Sequence, residues 1–156
     1  MTTPYEQLAK LGITLPPMGV PAAAYVPFAQ TGNLIFLSGH IAKHDGTVWT
    51  GRLGENMKTH DGAQAARAVA IDLLGTLDAA CRAAGADLNA VRRIVKIMGL
   101  VNSTNTYTQQ HLVINGASEL IAEVFGSVVG SHARSAFGVI QLPLGACVEI
   151  EMMAEI

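Results

Sequence analysis

Apolar residues recur along this chain with two different periods, and the change of period marks its elements. Ala63, Ala66, Ala70, Leu73, Leu74, Leu77, Cys81 and Ala84 repeat at helical spacing. That spacing predicts a helix from Thr59 to Ala84, stopped by Gly85. Arg67, Asp78 and Arg82 fall mainly on its other side, and the alanines predict close packing against a sheet. A second helix is predicted from Gln109 to Phe125, with Leu112, Val113, Leu120, Ile121 and Val124 as its apolar members and Gly126 as its stop. Asn115-Gly116 sits inside it. A glycine there costs ~1 kcal/mol against alanine, so either the helix starts later or the position carries a local demand. A short helix from Thr3 to Leu11 has Thr3 as cap, Pro4 in the first position and Glu6 three residues after the cap. Gly12 stops it, and Pro16, Pro17 and Pro21 make an irregular approach to the first strand.

Strands are predicted at Tyr25 to Gln30, Asn33 to Ile41, Val91 to Val101, Ala133 to Leu142 and Ala146 to Ile156. Leu34-Ile35-Phe36-Leu37 is apolar on both faces, as in a central strand. Asp45-Gly46 marks a turn, with a short return strand from Thr47 to Thr50. In the last strand Val148, Ile150, Met152, Ala154 and Ile156 share one face, and Glu149, Glu151, Met153 and Glu155 share the other. The order of strands, helix, strand, helix, strands predicts an α+β fold: a mixed sheet with two long helices on one face.

Composition narrows this to a single domain over residues 1–156. Half of the residues are hydrophobic and 14% are charged, and no linker-like stretch divides the chain. A net charge of −2, with Lys and Arg scattered, gives no basic stripe for nucleic acid. Cys81 and Cys147 are too few for a disulfide scaffold and lack metal-ligand spacing, which fits a reduced, cytoplasmic setting. The N-terminus does not read as a signal peptide. No apolar stretch approaches the ~20 residues that a membrane span needs. So apolar a chain of this size is expected to hide surface in an oligomer.

Two charges stand out on apolar strands. Arg134 lies in His132-Ala133-Arg134-Ser135-Ala136 and Glu149 in Val148-Glu149-Ile150-Glu151. Arg134 either pairs with a neighbouring acid or receives an anion, since a guanidinium holds a carboxylate through two parallel hydrogen bonds. Glu149 and Glu151 either form a solvated face or line a cleft, where one glutamate could deprotonate a water. His40, His44, His60, His111 and His132 give no zinc-ligand pattern. His132 either helps to bind an anion or makes a structural loop hydrogen bond. Ser38 and Ser135 lack the context of a nucleophile elbow. Gly39 could expose a backbone group at a strand end.

Several motifs together resemble the reactive-intermediate deaminase family (RidA, or YjgF, long labelled endoribonuclease L-PSP). They are Asn33-Leu34-Ile35-Phe36-Leu37-Ser38-Gly39-His40-Ile41, Val95-Lys96-Ile97 followed by Asn102, Asn115-Gly116-Ala117-Ser118, Ala133-Arg134-Ser135 and Val148-Glu149-Ile150-Glu151. The helix opening from Ala63 to Ala70 also fits. The combination with His132 and Ala136 looks like a longer bacterial subgroup. The resemblance implies a chorismate-mutase-like fold and a homotrimer, its sheets around a central barrel with three clefts between subunits. It also implies cofactor-free hydrolysis of small enamine or imine carboxylates, such as 2-aminoacrylate, to a 2-keto acid and ammonia. On it, Arg134 grips the substrate carboxylate, Glu149 aims the attacking water, Gly39 with Ser38 offers a backbone contact, and Asn115 lies near the cleft. His132, Phe28 and Ala136 join the expected lining. Imine hydrolysis is facile enough in water for positioning and one oriented water to suffice.

There are departures. Phe28 stands where deaminases often have tyrosine, Ala136 where many have cysteine, and His40 where glutamine is commoner. The first puts substrate choice and rate in question and leaves a non-catalytic small-carboxylate binding trimer as the alternative. A ribonuclease would need an acid/base pair, such as His132 with Glu149, and an electropositive groove that the acidic balance opposes.

Overall fold

The capping box read from the sequence starts the first helix. The Thr3 hydroxyl accepts from the Glu6 amide at 3.2 Å, and the Glu6 carboxylate accepts from the Thr3 amide at 2.8 Å, so α1 runs Pro4–Lys10. Tyr5 fastens α1 to the body of the protein. Its hydroxyl donates to the Asp78 carboxylate and accepts from the Leu88 amide. The computed structural model describes residues 2–21 and 23–156. Met1 and Ala22, within the expected N-terminal helix-and-approach region and its junction with the first strand, lie outside it.

Seven strands follow: β1 Phe28–Thr31, β2 Leu34–Ile41, β3 Lys43–His44, β4 Thr47–Val48, β5 Arg93–Asn102, β6 Ala133–Val139 and β7 Val148–Glu155. Five form one sheet in the order β1-β2-β7-β5-β6. Only β5 and β6 are parallel, so the sheet is mixed, as predicted. The other two make a hairpin through Asp45-Gly46, both with positive φ. The first strand is shorter than predicted and begins at Phe28 rather than Tyr25. The sixth ends at Val139, because a short 3-10 turn at Pro143–Gly145 takes the chain across to β7.

The long helices α2, Thr59–Ala83, and α3, Gln110–Val129, cover one face of the sheet. Of the periodic face read in the sequence, Ala66, Ala70, Leu73, Leu74, Leu77 and Cys81 are wholly buried, while Ala63 is half-buried and Ala84, just past the end of α2, is exposed. Their partners on β7 are Val148, Ile150, Met152 and Ala154, also buried. The stop at Gly126 is a break within α3: its φ of 77° and ψ of 172° end regular helix after Phe125, and one further turn follows.

Gly116 explains its own place inside α3. A Cβ there would overlap the Ala63 carbonyl, so α2 and α3 cross where neither backbone can give. Gly116→Ala is expected to lose about 2 kcal/mol, since overpacking against backbone outweighs the helix-propensity gain of alanine. A urea midpoint equal to wild type would contradict that packing.

One stretch does reach spanning length: α3 has 20 residues, with mean hydropathy 1.5 over its most apolar window. Its apolar face nevertheless belongs to the protein core. Val113, Ile114, Ala117, Leu120, Ile121 and Val124 are buried there. Asn115, Ser118, Glu119 and Glu123 interrupt the run, which is why the sequence did not read as a continuous apolar segment.

The other face of the sheet is uncovered among the described residues. The strand registers place Leu34, Phe36, Met98, Leu100, Phe137 and Met153 on it, beside Glu149 and Glu151. Leu34, Phe36 and Phe137 remain 36–42% exposed. Monomers rarely leave so many large apolar side chains together in water.

Candidate active site

Arg134 lies on edge strand β6 opposite Ile97 of β5, and Ile97 faces the helices. In a parallel pair, opposed residues share a face, so the guanidinium turns toward α3. There it meets His111, Asn115 and Ser118, which recur at i, i+4 and i+7 and so line one helical stripe. Nη1 donates to Asn115 Oδ1 at 2.8 Å and to Ser118 Oγ at 3.2 Å, and Nη2 donates to the His111 carbonyl at 3.2 Å. All of these partners are neutral. Arg134 makes no ion pair among the described residues. The bland reading, an arginine paired with a neighbouring acid, is therefore set aside within the chain.

Three of the five guanidinium N–H donors are used. Both Nη1 hydrogens and one on Nη2 are taken, which leaves the Nε hydrogen and the second Nη2 hydrogen. A carboxylate takes two such donors in parallel. The side chain is thus oriented by neutral acceptors, with its charge and two donors still unpartnered.

His132 serves this cluster from behind. Its Nδ1 lies 2.6 Å from the Gly130 carbonyl and its Nε2 lies 2.9 Å from Ser118 Oγ. Both ring nitrogens are engaged, so the structural reading of this histidine is the one the geometry supports. Ala136 follows two residues after Arg134 on the same face of β6 and packs against the core.

Glu149 is the centre of a second group on the opposite face. It lies on β7 between Ile41 of β2 and Leu100 of β5. It is half-buried, and burial pushes its carboxyl above the usual carboxylate range, with the Glu151 charge adding to the rise. Gly39 makes room for it. Four residues of β2, Leu37 to His40, face only three of β7, Met152 to Ile150, so a bulge falls at Ser38-Gly39. A Cβ on Gly39 would collide with the Glu149 carboxylate. Ser38 is tied down locally, its hydroxyl donating to the Val26 carbonyl at 2.6 Å. Gly39→Ala is expected to displace Glu149 and to cut any activity that uses it at least tenfold, at little cost in folding. Equal rates for variant and wild type would detach the glycine from the site.

His40 points away from this group, to the buried Thr76 hydroxyl of α2 at 3.2 Å. Phe28 is opposite Leu37 and packs against the core cluster, on the other side of the sheet from Glu149. Cys81 and Cys147 are both buried, and burial pushes each thiol up to about 11, so they are packing residues.

Arg134 and Glu149 do not meet within one chain. Two strand spacings separate β6 from β7, and the two side chains leave opposite faces of the sheet. Ser118 and the His111 carbonyl were not foreseen as parts of the Arg134 group. The signal was present as the i, i+4, i+7 polar stripe on an otherwise apolar helix.

These features define a class: a mixed α+β sheet protein with an unpaired arginine over its crossover helix and a half-buried glutamate on an uncovered apolar face. The family follows from comparison. The chain belongs to the endoribonuclease L-PSP (RidA/YjgF) family, whose profile matches residues 18–156. It is 43% identical over 150 residues to Protein TCP17 of Trypanosoma cruzi, covering 96% of this chain and 91% of that one. The crystal structure of Atu1372 from Agrobacterium tumefaciens, a protein of unknown function, superposes with a TM-score of 0.87 at 40% identity, covering 99% and 94% of the two chains. A Shewanella oneidensis protein assigned by name to the endoribonucleases superposes with a TM-score of 0.92 at 25% identity, covering 99% and 100%.

Proposed function

We propose that this protein hydrolyses small imine or enamine carboxylates of the 2-aminoacrylate type to a 2-keto acid and ammonia, in clefts between copies of the chain. The observation that carries this is Arg134: an oriented guanidinium with no ion pair and two free donors among the described residues. The uncovered apolar sheet face supports assembly into a homotrimer, in which the Arg134 group of one copy meets the Glu149 group of another.

In that cleft Arg134 fixes the substrate carboxylate. Glu149 accepts a proton from a water as the water oxygen bonds to the imine carbon. Glu149 returns that proton to the imine nitrogen, giving a neutral carbinolamine. The carbinolamine hydroxyl proton then passes through Glu149 to the amine as the carbon–nitrogen bond breaks, the carbonyl forms and ammonia leaves. A carboxyl raised by burial is a better base than an exposed one. The chain's own residues account for every proton in this scheme.

A second reading, binding of a small carboxylate without turnover, is favoured by Phe28, which brings no hydroxyl and packs into the core. Ribonuclease action would need His132 as an acid or base, but both of its nitrogens are already engaged. One experiment separates the three. With 2-aminoacrylate generated in situ, protein is expected to accelerate keto-acid release, while an RNA substrate stays intact. Thermal stabilisation by pyruvate without any acceleration would establish the binding reading instead.

A further inference from the structure

We infer that Ser118 and His132 form a positioning relay that sets the direction of Arg134 and hence its affinity for carboxylates. The inference rests on Arg134 being the carboxylate receptor. It begins with a tautomer. The Gly130 carbonyl only accepts, so His132 Nδ1, at 2.6 Å from it, must carry the hydrogen. In the neutral ring Nε2 is then an acceptor. The Ser118 hydroxyl, 2.9 Å away, donates to it. With its hydrogen committed, Ser118 Oγ presents lone pairs to Arg134 Nη1 at 3.2 Å.

Each hydrogen bond in the chain fixes the sense of the next, from a backbone carbonyl to a guanidinium. A serine alone could rotate its hydroxyl hydrogen toward Arg134 and repel it. The histidine removes that choice. Asn115 Oδ1 takes the other Nη1 hydrogen and the His111 carbonyl takes one on Nη2. The guanidinium is therefore held from the α3 side, with its Nε hydrogen and one Nη2 hydrogen left unpartnered among the described residues. Neither Ser118 nor His132 needs to touch the substrate.

The segment that carries His132 is itself fixed by the break in α3. Gly126 takes a φ of 77° that side-chain-bearing residues rarely adopt, and the Gly130 amide returns to the Gly126 carbonyl at 2.9 Å. This brings Gly130 and His132 back alongside Ser118, although His132 lies 14 positions after that serine in the sequence.

The test is pyruvate binding by titration calorimetry to the full chain. Wild type, Arg134→Ala, Ser118→Ala, Ser118→Thr, His132→Ala and the Ser118→Ala/His132→Ala double variant would be compared. Ser118→Ala is expected to weaken binding about tenfold through loss of a hydrogen bond to a charged group. Ser118→Thr keeps the hydroxyl and should restore affinity. The double variant should bind no more weakly than the weaker single one, because both remove the same relay. A purely structural role would lower the melting temperature of Ser118→Ala and leave pyruvate affinity at the wild-type value, and that result would overturn the relay. Wild-type protein that does not bind pyruvate would instead overturn the receptor reading, and the relay with it.

Discussion

Arg134→Ala is expected to abolish the acceleration of imine hydrolysis, with kcat/KM falling on the order of a hundredfold. The size follows from losing two charge-assisted hydrogen bonds to one carboxylate. Two controls make it specific. Arg134→Lys should recover little, because an ammonium cannot present two parallel donors in the guanidinium plane and cannot satisfy Asn115, Ser118 and the His111 carbonyl at once. A neutral amide analogue of the substrate should be handled equally badly by wild type and variant. Stability should change little, since Arg134 makes no ion pair among the described residues and its partners are half-exposed or exposed polar groups on the α3 surface. An unaffected rate in Arg134→Ala would remove the receptor on which the functional reading stands.

Glu149→Gln is the second large effect, and it has two opposite parts. Activity should fall about 10²–10⁴-fold, the usual contribution of a positioned general base. Stability at neutral pH should rise. Burial, then Glu151, raise the folded carboxyl above its ordinary 4.5. An acid raised on folding holds its proton more tightly in the folded than in the unfolded chain. Wild-type stability therefore falls as pH climbs from about 4.5 through the folded value, and remains lower above it. The glutamine variant carries no such charge, so its melting temperature should exceed that of wild type at pH 7 and match it near pH 4. A variant that is less stable at pH 7 would mean that the ionised carboxylate is held by favourable contacts.

Much of this was legible in the chain. The α2 face could be read because an unbroken helical period of small and apolar residues admits only one register. The β7 alternation likewise assigned Glu149 to the face away from the helices. Strand ends were harder, because what ends β6 at Val139 is the crossing to β7, which no local pattern at Ile140 to Leu142 records. The Arg134 surroundings were only half visible. The motif Asn115-Gly116-Ala117-Ser118 stands out in the sequence, but it gives Ser118 no role of its own, because a serine on a mostly apolar helix looks like a tolerated polar residue until a strand from elsewhere lays an arginine across it. Gly39 drew attention as a backbone contact. Its steric reason, the Glu149 carboxylate over its α-carbon, depends on a bulge that sequence period does not reveal.

The halves of the candidate site lie on opposite faces of one sheet, and this makes the central claim directly testable. Arg134→Ala and Glu149→Gln chains, each inactive alone, would be unfolded together in equal amounts and refolded as a mixture. If each cleft draws Arg134 from one copy and Glu149 from the next, random pairing in a symmetric ring leaves roughly a quarter of the clefts with both native groups. About a quarter of wild-type imine hydrolysis should then return, and each variant refolded by itself should remain inactive. A mixture as inactive as its components, under conditions where wild type refolds to full activity, would contradict a site shared between copies.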